Sequence, residues 1–516
     1  HFTNKEVTLL YDNDEAGRAG MSRATKALLA GVKPRSIKKI NWPDSTPNKF
    51  DIRDYVTRNR DRVERGYKEL LSMLEEVSLH DRGEASKTAP KDFSQVVDVF
   101  RKHIHMPDDV ITGLLLEMAV VFSNNIPGEP LWLMLGGRHG GGKTLLLQAV
   151  SDLETTHYES SLGPKTLVSG YKMPDGSDPS LMPKIIGKTL IIKEYTEIMS
   201  LTGADQDQLF AVLRGAYDGR VERTYPHGVT RIYPEPGSDK KTCHFSMLAG
   251  VTNAIHGDNR AALGERFLKF QLFPDDYDPV MQIKSAIDTT IRQEVPEFVL
   301  RESASSFLEY RLGQYDAYPR LPTVPQWIQD QTIGLSQIVS MIRAMVSRKQ
   351  GELVYRPAPE IGTRLSKQII KLSQCIAFIL GKKEVDMECY KIVQRVGMDT
   401  CYGWARDVVQ TVAKHPEGIK KDDICKEARM GPSNCSRHLE DLYELGAIDY
   451  TTPKTGHKGN PPKIWILSPL MKKLFELAKI DETLQIFEDL PIIPAEKRAQ
   501  IRRRGKEAFR RQGLTT

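Results

Sequence analysis

The sequence predicts a multi-domain α/β protein, and three observations carry that prediction. Short apolar runs of strand type alternate with stretches of helical spacing. One such run, Leu131 to Leu135, flows directly into a glycine-rich loop and then a helix. The chain is also too long for one core, because 516 residues at about 150 per domain is a prior of three to four domains. Hydrophobic residues at 40% and charged residues at 27% are ordinary globular usage, which excludes collagen-like, wholly disordered and disulfide-scaffold classes.

Val7 to Tyr11 reads as a buried strand running into Asp12-Asn13-Asp14-Glu15-Ala16-Gly17, and Ala16 to Gly31 follows with helical spacing. Ile37 to Trp42 is a second strand and Lys49 to Leu74 returns to helix, which completes a βαβα fragment. Ser78 to Ala89 is polar and patternless and reads as a linker. A helical stretch from Phe93 to Phe122 leads into the strand Leu131 to Leu135, the loop Gly136 to Gly142 and a helix from Lys143. Its apolar part, Val110 to Phe122, contains Glu117 and is shorter than the roughly 20 residues a membrane span needs. It reads as a buried helix, and no membrane partner is expected. Thr189 to Ile192 and Phe245 to Val251 are further strands, Pro325 to Trp404 is dominated by helical patterning, and Asp407 to Leu477 has short-helix and hairpin character.

Six cysteines, Cys243, Cys375, Cys389, Cys401, Cys425 and Cys435, form no C-x-x-C pair and no zinc spacing with histidine. Structural thiols in a reducing compartment, the cytoplasm, are expected. The chain opens on His1 without a secretory signal, and it is expected to continue a longer protein. Lys and Arg (73) exceed Asp and Glu (67) by 6, and Ala495 to Thr516, with eight basic and two acidic residues, holds that whole excess.

Gly137-Arg138-His139-Gly140-Gly141-Gly142-Lys143-Thr144 fits G-x-x-x-x-G-K-[ST] and follows an apolar strand. Gly137, Gly140, Gly141 and Gly142 let backbone N–H groups turn inward around phosphate oxygens, Lys143 reaches the β/γ-phosphates, and Thr144 reaches magnesium. ATP and Mg2+ are therefore the expected cofactors. Such a site also needs a carboxylate at the end of a neighbouring strand. Thr189 to Ile192 ends in Lys193-Glu194 instead of an Asp-Glu pair, so Glu194 can serve the magnesium, the water or both, with Glu197 in reserve. Met247 to Val251 ends in Thr252-Asn253, where Asn253 can aim an amide at the γ-phosphate or simply form a turn. Arg266, in Leu263-Gly264-Glu265-Arg266-Phe267, is either delivered to a neighbour's phosphate or part of a surface ion pair.

The ordered set GRHGGGKT, LIIKEYTEI, GVTNAI, LGERFLKF and TRLSKQIIKL resembles an AAA+ ATPase, and specifically the minichromosome-maintenance-like helicases and their relatives in phages and mobile elements. The resemblance spans about Pro107 to Asp399. It implies Asn253 as sensor 1, Arg266 as an arginine finger acting across a subunit boundary, Arg364 in a helical lid as sensor 2, and a homo-oligomeric ring of six. Gly219 to Thr242 sits where those helicases carry a DNA-gripping pore hairpin, with Arg231, Lys240 and Lys241 as candidate contacts and a solvated loop as the alternative.

Asp12-x-Asp14-x-Ala16-Gly17 after a strand resembles the D-x-D half of a Toprim domain, the metal-binding unit of bacterial-type primases. Two alternate carboxylates at a strand end can converge on one hard cation, whereas a plain Asp-rich turn has no such function. The chain starts too late for the glutamate that a Toprim fold carries on an earlier strand, so the fragment is expected to bind metal weakly. Asp51-Ile52-Arg53-Asp54 resembles a third acidic element. Downstream, Lys420 to Ala428, a turn, and Ser433 to Leu442 read as helix, turn, helix, with Ser433 as the N-cap and a polar face carrying Asn434 and Arg437. With the hairpin that follows and its basic loop (Lys454, Lys458), this resembles a winged helix-turn-helix, a module that reads DNA or docks protein. The tail suits phosphate attraction or is a solvated terminus.

The expected organisation is a partial Toprim βα fragment (1–76), a linker (77–92), an AAA+ P-loop ATPase core (93–300), a helical lid (301–404), a winged helix (405–480) and a basic tail (481–516). The resemblance implies an ATP-dependent helicase of a replication module, linked to a truncated primase domain and working on single- and double-stranded DNA. A replication initiator or loader, and a DNA-binding regulator that uses ATP as an assembly switch, are the alternatives.

Overall fold

The structure, a computed structural model, describes residues 6–14, 17, 21, 24–25, 36–43, 45–60, 62–76, 90–163, 165–171, 173–225, 228–252, 266–273, 278–292, 296–350, 352–401, 403–452 and 461–480. They fall into two compact units, 1–89 and 90–516.

In the first unit, β1 (Glu6–Leu9) pairs in parallel with β2 (Ser36–Ile40), and β2 pairs antiparallel with β3 (Leu74–Glu76). The single helix expected from Lys49 to Leu74 is two, α1 (Ile52–Arg58) and α2 (Val63–Ser72). Asp51 and Asp54 close α1 in a reciprocal capping box. The break is a close crossing: a Cβ on Gly66 would stand 2.7 Å from the Asn59 Cβ. The expected helix from Ala16 to Gly31 lies mostly outside the described residues.

The second unit is built on a five-stranded, fully parallel sheet ordered β10-β4-β9-β6-β5. Its strands are β4 (Trp132–Gly136), β5 (Thr156–Glu159), β6 (Thr189–Ile192), β9 (Ser246–Val251) and β10 (Phe267–Gln271), and β7 (Val221–Thr224) with β8 (Thr230–Tyr233) forms a separate antiparallel hairpin. Strands covered on both faces read as unbroken apolar runs, which is why β4, β6 and β9 were visible in the sequence. β5 (THYE) has no such run, and β10 was not anticipated.

The expected helical stretch from Phe93 to Phe122 breaks at Pro107 into α3 (Phe93–His103) and α4 (Asp108–Phe122), since proline fits a helix start but not its interior. Every residue of α4 from Val110 onward is buried. Glu117 is among them at 0% exposure, and neither of its carboxylate oxygens is hydrogen-bonded. Burial holds its carboxyl well above the usual range. The folded state therefore binds this proton more tightly than the unfolded chain, and stability falls as pH rises above the unfolded value of about 4.3. Glu117→Met is expected to raise the urea midpoint of this unit at pH 8, removing a penalty of about 1–3 kcal/mol for an unsatisfied buried polar group, and to raise it less at pH 5. Equal shifts at both pH values would show that ionisation of Glu117 contributes nothing.

After the sheet come α5 (Lys143–Ala149) and α6 (Gly203–Tyr217), which lie within it in sequence, then α7 (Val280–Ile291), α8 (Glu297–Ala317), α9 (Gln326–Arg343), α10 (Thr363–Ile379) and α11 (Met387–Thr400). The last of these covers the open edge of β10. Lys269 N donates to Thr400 Oγ1 (3.0 Å), Gln271 N donates to Asp399 Oδ2 (3.0 Å), and Arg395 Nη2 donates to Gln271 O (3.2 Å). Backbone groups that an edge strand leaves unpaired are thus satisfied by one helix.

Beyond α12 (Gly403–Lys414), α13 (Lys421–Glu427) and α14 (Pro432–Glu444) follow one another across a short turn. A three-stranded antiparallel sheet is formed by β11 (Ile419–Lys420), β12 (Ile448–Thr451) and β13 (Ile464–Leu467), in the order β11-β13-β12. Ser433 is not the cap of α14: Gly431 is, with Pro432 at the first helical position, where its fixed φ is already helical. The closing helix α15 (Pro469–Ala478) crosses α9 so tightly that a Cβ on Gly334 would stand 2.9 Å from Ala478 N. Among the described residues no helix is long and apolar enough to cross a membrane.

Candidate functional site

The carboxyl ends of β4, β9 and β6 open on one edge of the sheet, the position where open α/β sheets bind ligands. Between β4 and α5 the chain turns through Gly140 and Gly142, whose φ values of +73° and +83° lie in the left-handed region that glycine alone adopts freely. Gly141 N donates to Arg138 O (3.2 Å), and the Lys143 ammonium lies within the curl, donating to Gly137 O (2.7 Å) and Arg138 O (2.9 Å). Burial pushes the Lys143 pKa down, and the Glu194 carboxylate acts in the opposite sense. A buried cation held by two backbone carbonyls inside a glycine-rich loop is a setting suited to a polyphosphate.

Glu194 follows β6 directly. Tyr195 N donates to Gly250 O (2.8 Å), Thr196 Oγ1 lies 3.1 Å from Thr252 Oγ1, and Thr196 N donates to Glu194 Oε1 (3.3 Å). These bonds hold the turn carrying Glu194 against the end of β9. Gly250 permits the approach, since a Cβ there would stand 2.5 Å from Lys193 O. Reading the sequence missed this residue, although a glycine inside an apolar strand is a signal of close backbone approach. Thr144, at the start of α5, and Glu194 supply hydroxyl and carboxylate oxygens, a donor set that suits Mg2+. Glu197 is exposed, and Asn253 lies outside the described residues.

Arg266 and Arg364 are brought together, away from that loop. Phe267 pairs with Trp132 and Gln271 with Gly136, so Arg266 stands at the opposite end of the sheet, about 20 Å from the level of Gly137 at 3.3 Å per residue. Its Nη2 pairs with Asp218 Oδ2 at 3.2 Å. The Arg266 and Arg364 guanidinium carbons lie 5.5 Å and 5.8 Å from the Tyr217 ring centroid. No sequence signal marked Tyr217, because only the crossing of three elements creates this cluster.

In the β7–β8 hairpin, Arg231 donates to Ser169 O (3.2 Å) and Tyr171 O (2.8 Å) and pairs with Asp178 at 3.4 Å. It ties the hairpin to the loop 165–181. Lys240 and Lys241 are exposed. On α14, Asn434 and Arg437 are exposed while Cys435, Leu439 and Leu442 are buried. Arg348 pairs with Asp441 of the same helix at 2.7 Å. Lys454, Lys458 and the 481–516 tail lie outside the described residues.

In the first unit, Asn13 N donates to Phe50 O (2.8 Å) and Lys49 N to Asn13 O (3.0 Å), which brings Asp12 and Asp14 beside the 49–54 segment. Asp14 accepts from Gly17 N, and Asp51 and Asp54 cap α1. A Cβ on Gly17 would stand 2.2 Å from Asp12 O, which accounts for that glycine. Among the described residues no three carboxylates, histidines or cysteines gather as a metal site. Asp12 and Asp14 alone do not make one.

No family model matches the chain, and no curated protein matches it. Among solved structures, the Aeropyrum pernix Orc1 protein in complex with DNA aligns with 72% of this chain and 93% of its own at 13% identity. The TM-score of that alignment is 0.23.

Proposed function

We propose that this chain is an AAA+ ATPase that hydrolyses ATP with magnesium and moves DNA as a helicase or translocase of a replication module. The carrying observation is the division of the site between the two ends of one parallel sheet. The Lys143 loop and Glu194 stand at one end and the Arg266–Arg364 pair at the other, so one copy's arginines serve the nucleotide of the next copy. A heterologous contact of this kind closes into a ring where its rotation permits, and a ring of six is the proposed form.

In this reading the loop amides and Lys143 bind the phosphates, and Glu194 orients the attacking water and accepts its proton. Magnesium, when bound with the nucleotide, neutralises phosphate charge, and Thr144 and Glu194 are the residues to hold it. Asn253 is assigned to the γ-phosphate side, following the strand end fixed by Thr252. Arg266 and Arg364 face the transferring phosphate from across the boundary. Lys240 and Lys241 supply the hairpin's contacts with a single strand, since Arg231 is engaged with its neighbouring loop. The first unit is a partial Toprim domain of a primase, and no chemistry is assigned to it.

The second segment of the reading is a winged helix (405–480) that holds duplex DNA through Asn434, Arg437, Lys454 and Lys458, aided by the basic tail. Phosphate contacts release counterions, with a slope of about −0.9 per contact in log affinity against log salt. Deleting Ala495 to Thr516 is therefore expected to weaken duplex binding for every sequence alike and to flatten its salt dependence. Arg437→Ala is expected to narrow the gap between preferred and random sequence by about 1–3 kcal/mol, the value of a base-edge contact. A binding titration in which the tail deletion leaves affinity and slope intact overturns the tail assignment.

The deciding experiment measures ATPase activity with and without single-stranded DNA, and strand displacement on a forked duplex. Strong stimulation with displacement supports the motor. Sequence-specific duplex binding with little stimulation and no displacement favours the initiator or regulator.

A further inference from the structure

Tyr217 is the last residue of α6, is buried, and touches both arginines. Its ring edge meets Trp132 (centroids 5.0 Å apart), which fixes the plane from the core side. Its hydroxyl donates to Glu129 Oε2 (3.3 Å) and accepts from Gln368 Nε2 (3.0 Å), and the same Gln368 nitrogen donates to Arg266 O (2.8 Å). Glu129 in turn pairs with Lys367 at 3.1 Å and accepts from Lys371 through its backbone oxygen at 2.9 Å. Arg266 enters β10 of the sheet while Arg364 and Gln368 belong to α10, one turn apart, so one aromatic ring touches a charge from each of two separate elements.

Two guanidinium groups held near each other repel. Their approach needs something that attracts both, and the face of an aromatic ring within about 6 Å does so without forming a directional bond that fixes either one. Asp218, next in sequence, pairs with Arg266 and offsets part of the repulsion. Burial, with Glu129 adding to it, keeps the Tyr217 hydroxyl protonated, so the platform carries no charge of its own.

We infer that Tyr217 is a positioning residue that holds Arg266 and Arg364 as one unit for the terminal phosphate of a nucleotide bound to a neighbouring copy. This rests on the proposed action of the arginines across a subunit boundary. The ring sets the spacing of two cations whose common target is a single phosphoryl group, and α10 and the sheet must move together for that spacing to persist. A misplacement of about 1 Å at such a site costs on the order of 100-fold in rate.

The test uses the full chain with ATP as substrate and a fluorescent ATP analogue as the binding probe. Tyr217→Leu is expected to lower kcat on the order of 100-fold while analogue affinity stays within about 3-fold, below the roughly tenfold that 1.4 kcal/mol represents. Tyr217→Phe, which keeps the ring, recovers most of the lost turnover. Mixed with Lys143→Ala subunits, Tyr217→Leu subunits regain activity, because their own loops are intact and the intact arginine pairs come from the other copy. A structural defect in the Leu variant weakens analogue binding and is not rescued by mixing. Should Tyr217→Leu prove insoluble, a double-mutant cycle of Arg266→Ala and Arg364→Ala replaces it: strongly non-additive losses in kcat support the shared unit, and additive losses overturn it. If Arg266→Ala alone keeps wild-type turnover, the trans reading itself fails. If Arg266→Ala is inactive while the Leu and Phe variants behave alike, only the platform fails.

Discussion

Lys143→Ala is expected to abolish nucleotide binding, and Glu194→Gln to preserve binding while removing turnover. The two effects separate because the residues meet different parts of the reaction. Lys143 Nζ is enclosed by the loop that turns through Gly140 and Gly142, so its removal takes a buried side-chain cation out of the proposed phosphate cradle. Glu194 stands two strands away in the sheet, beyond β9, and in the proposed reading it serves the attacking water rather than the bound phosphates. Loss of a group that stabilises only the transition state typically costs about 10²–10³ in kcat. Analogue binding and steady-state ATPase measurements on the two variants check the assignment, and unchanged activity in both removes the site from this loop.

Arg266→Ala is expected to lower kcat by about 10³–10⁵, the contribution of an arginine finger, with little change in nucleotide affinity. Because Arg266 lies at the far end of β10 from the loop of its own chain, the defect must appear in the neighbour. Mixing inactive Arg266→Ala subunits with inactive Lys143→Ala subunits should then restore partial activity, since some boundaries pair an intact loop with an intact arginine. Activity across a series of mixing ratios should pass through a maximum. A flat line at background, with mixed assemblies confirmed by native mass spectrometry, argues against action in trans. The present partner, Asp218, is 57% exposed, and an exposed ion pair of this kind contributes about 0–1 kcal/mol. It offers little resistance to exchange for a phosphate.

Much of the second unit was legible because its signals are local. A G-x-x-x-x-G-K-T loop after a buried run needs only backbone conformation and adjacent residues, and Thr189–Ile192 was read with the bounds the structure gives it. The short strand β5 was not legible because its apolar residues are too few, and β10 because Lys269 and Gln271 interrupt its apolar run. The break at Asn59 is not legible because helical spacing continues on both sides and only a close crossing shows where the helix stops, whereas the break at Pro107 carries a local signal in the proline itself. On α14, proline's fixed φ displaced the cap to Gly431 although serine is the better capping side chain.

The sequence by itself determined the glycine-rich loop, the strand that carries Glu194 and the basic tail, since each depends on residues close together in the chain. Only the tertiary structure decided which charges meet. Arg266 and Arg364 are 98 positions apart in the numbering and both lie against the Tyr217 ring, Arg231 turns to Ser169 and Tyr171, and Gly250 admits the turn that carries Glu194. Pairings of this kind depend on how the sheet and its helices pack, and local propensity holds no information about long-range packing.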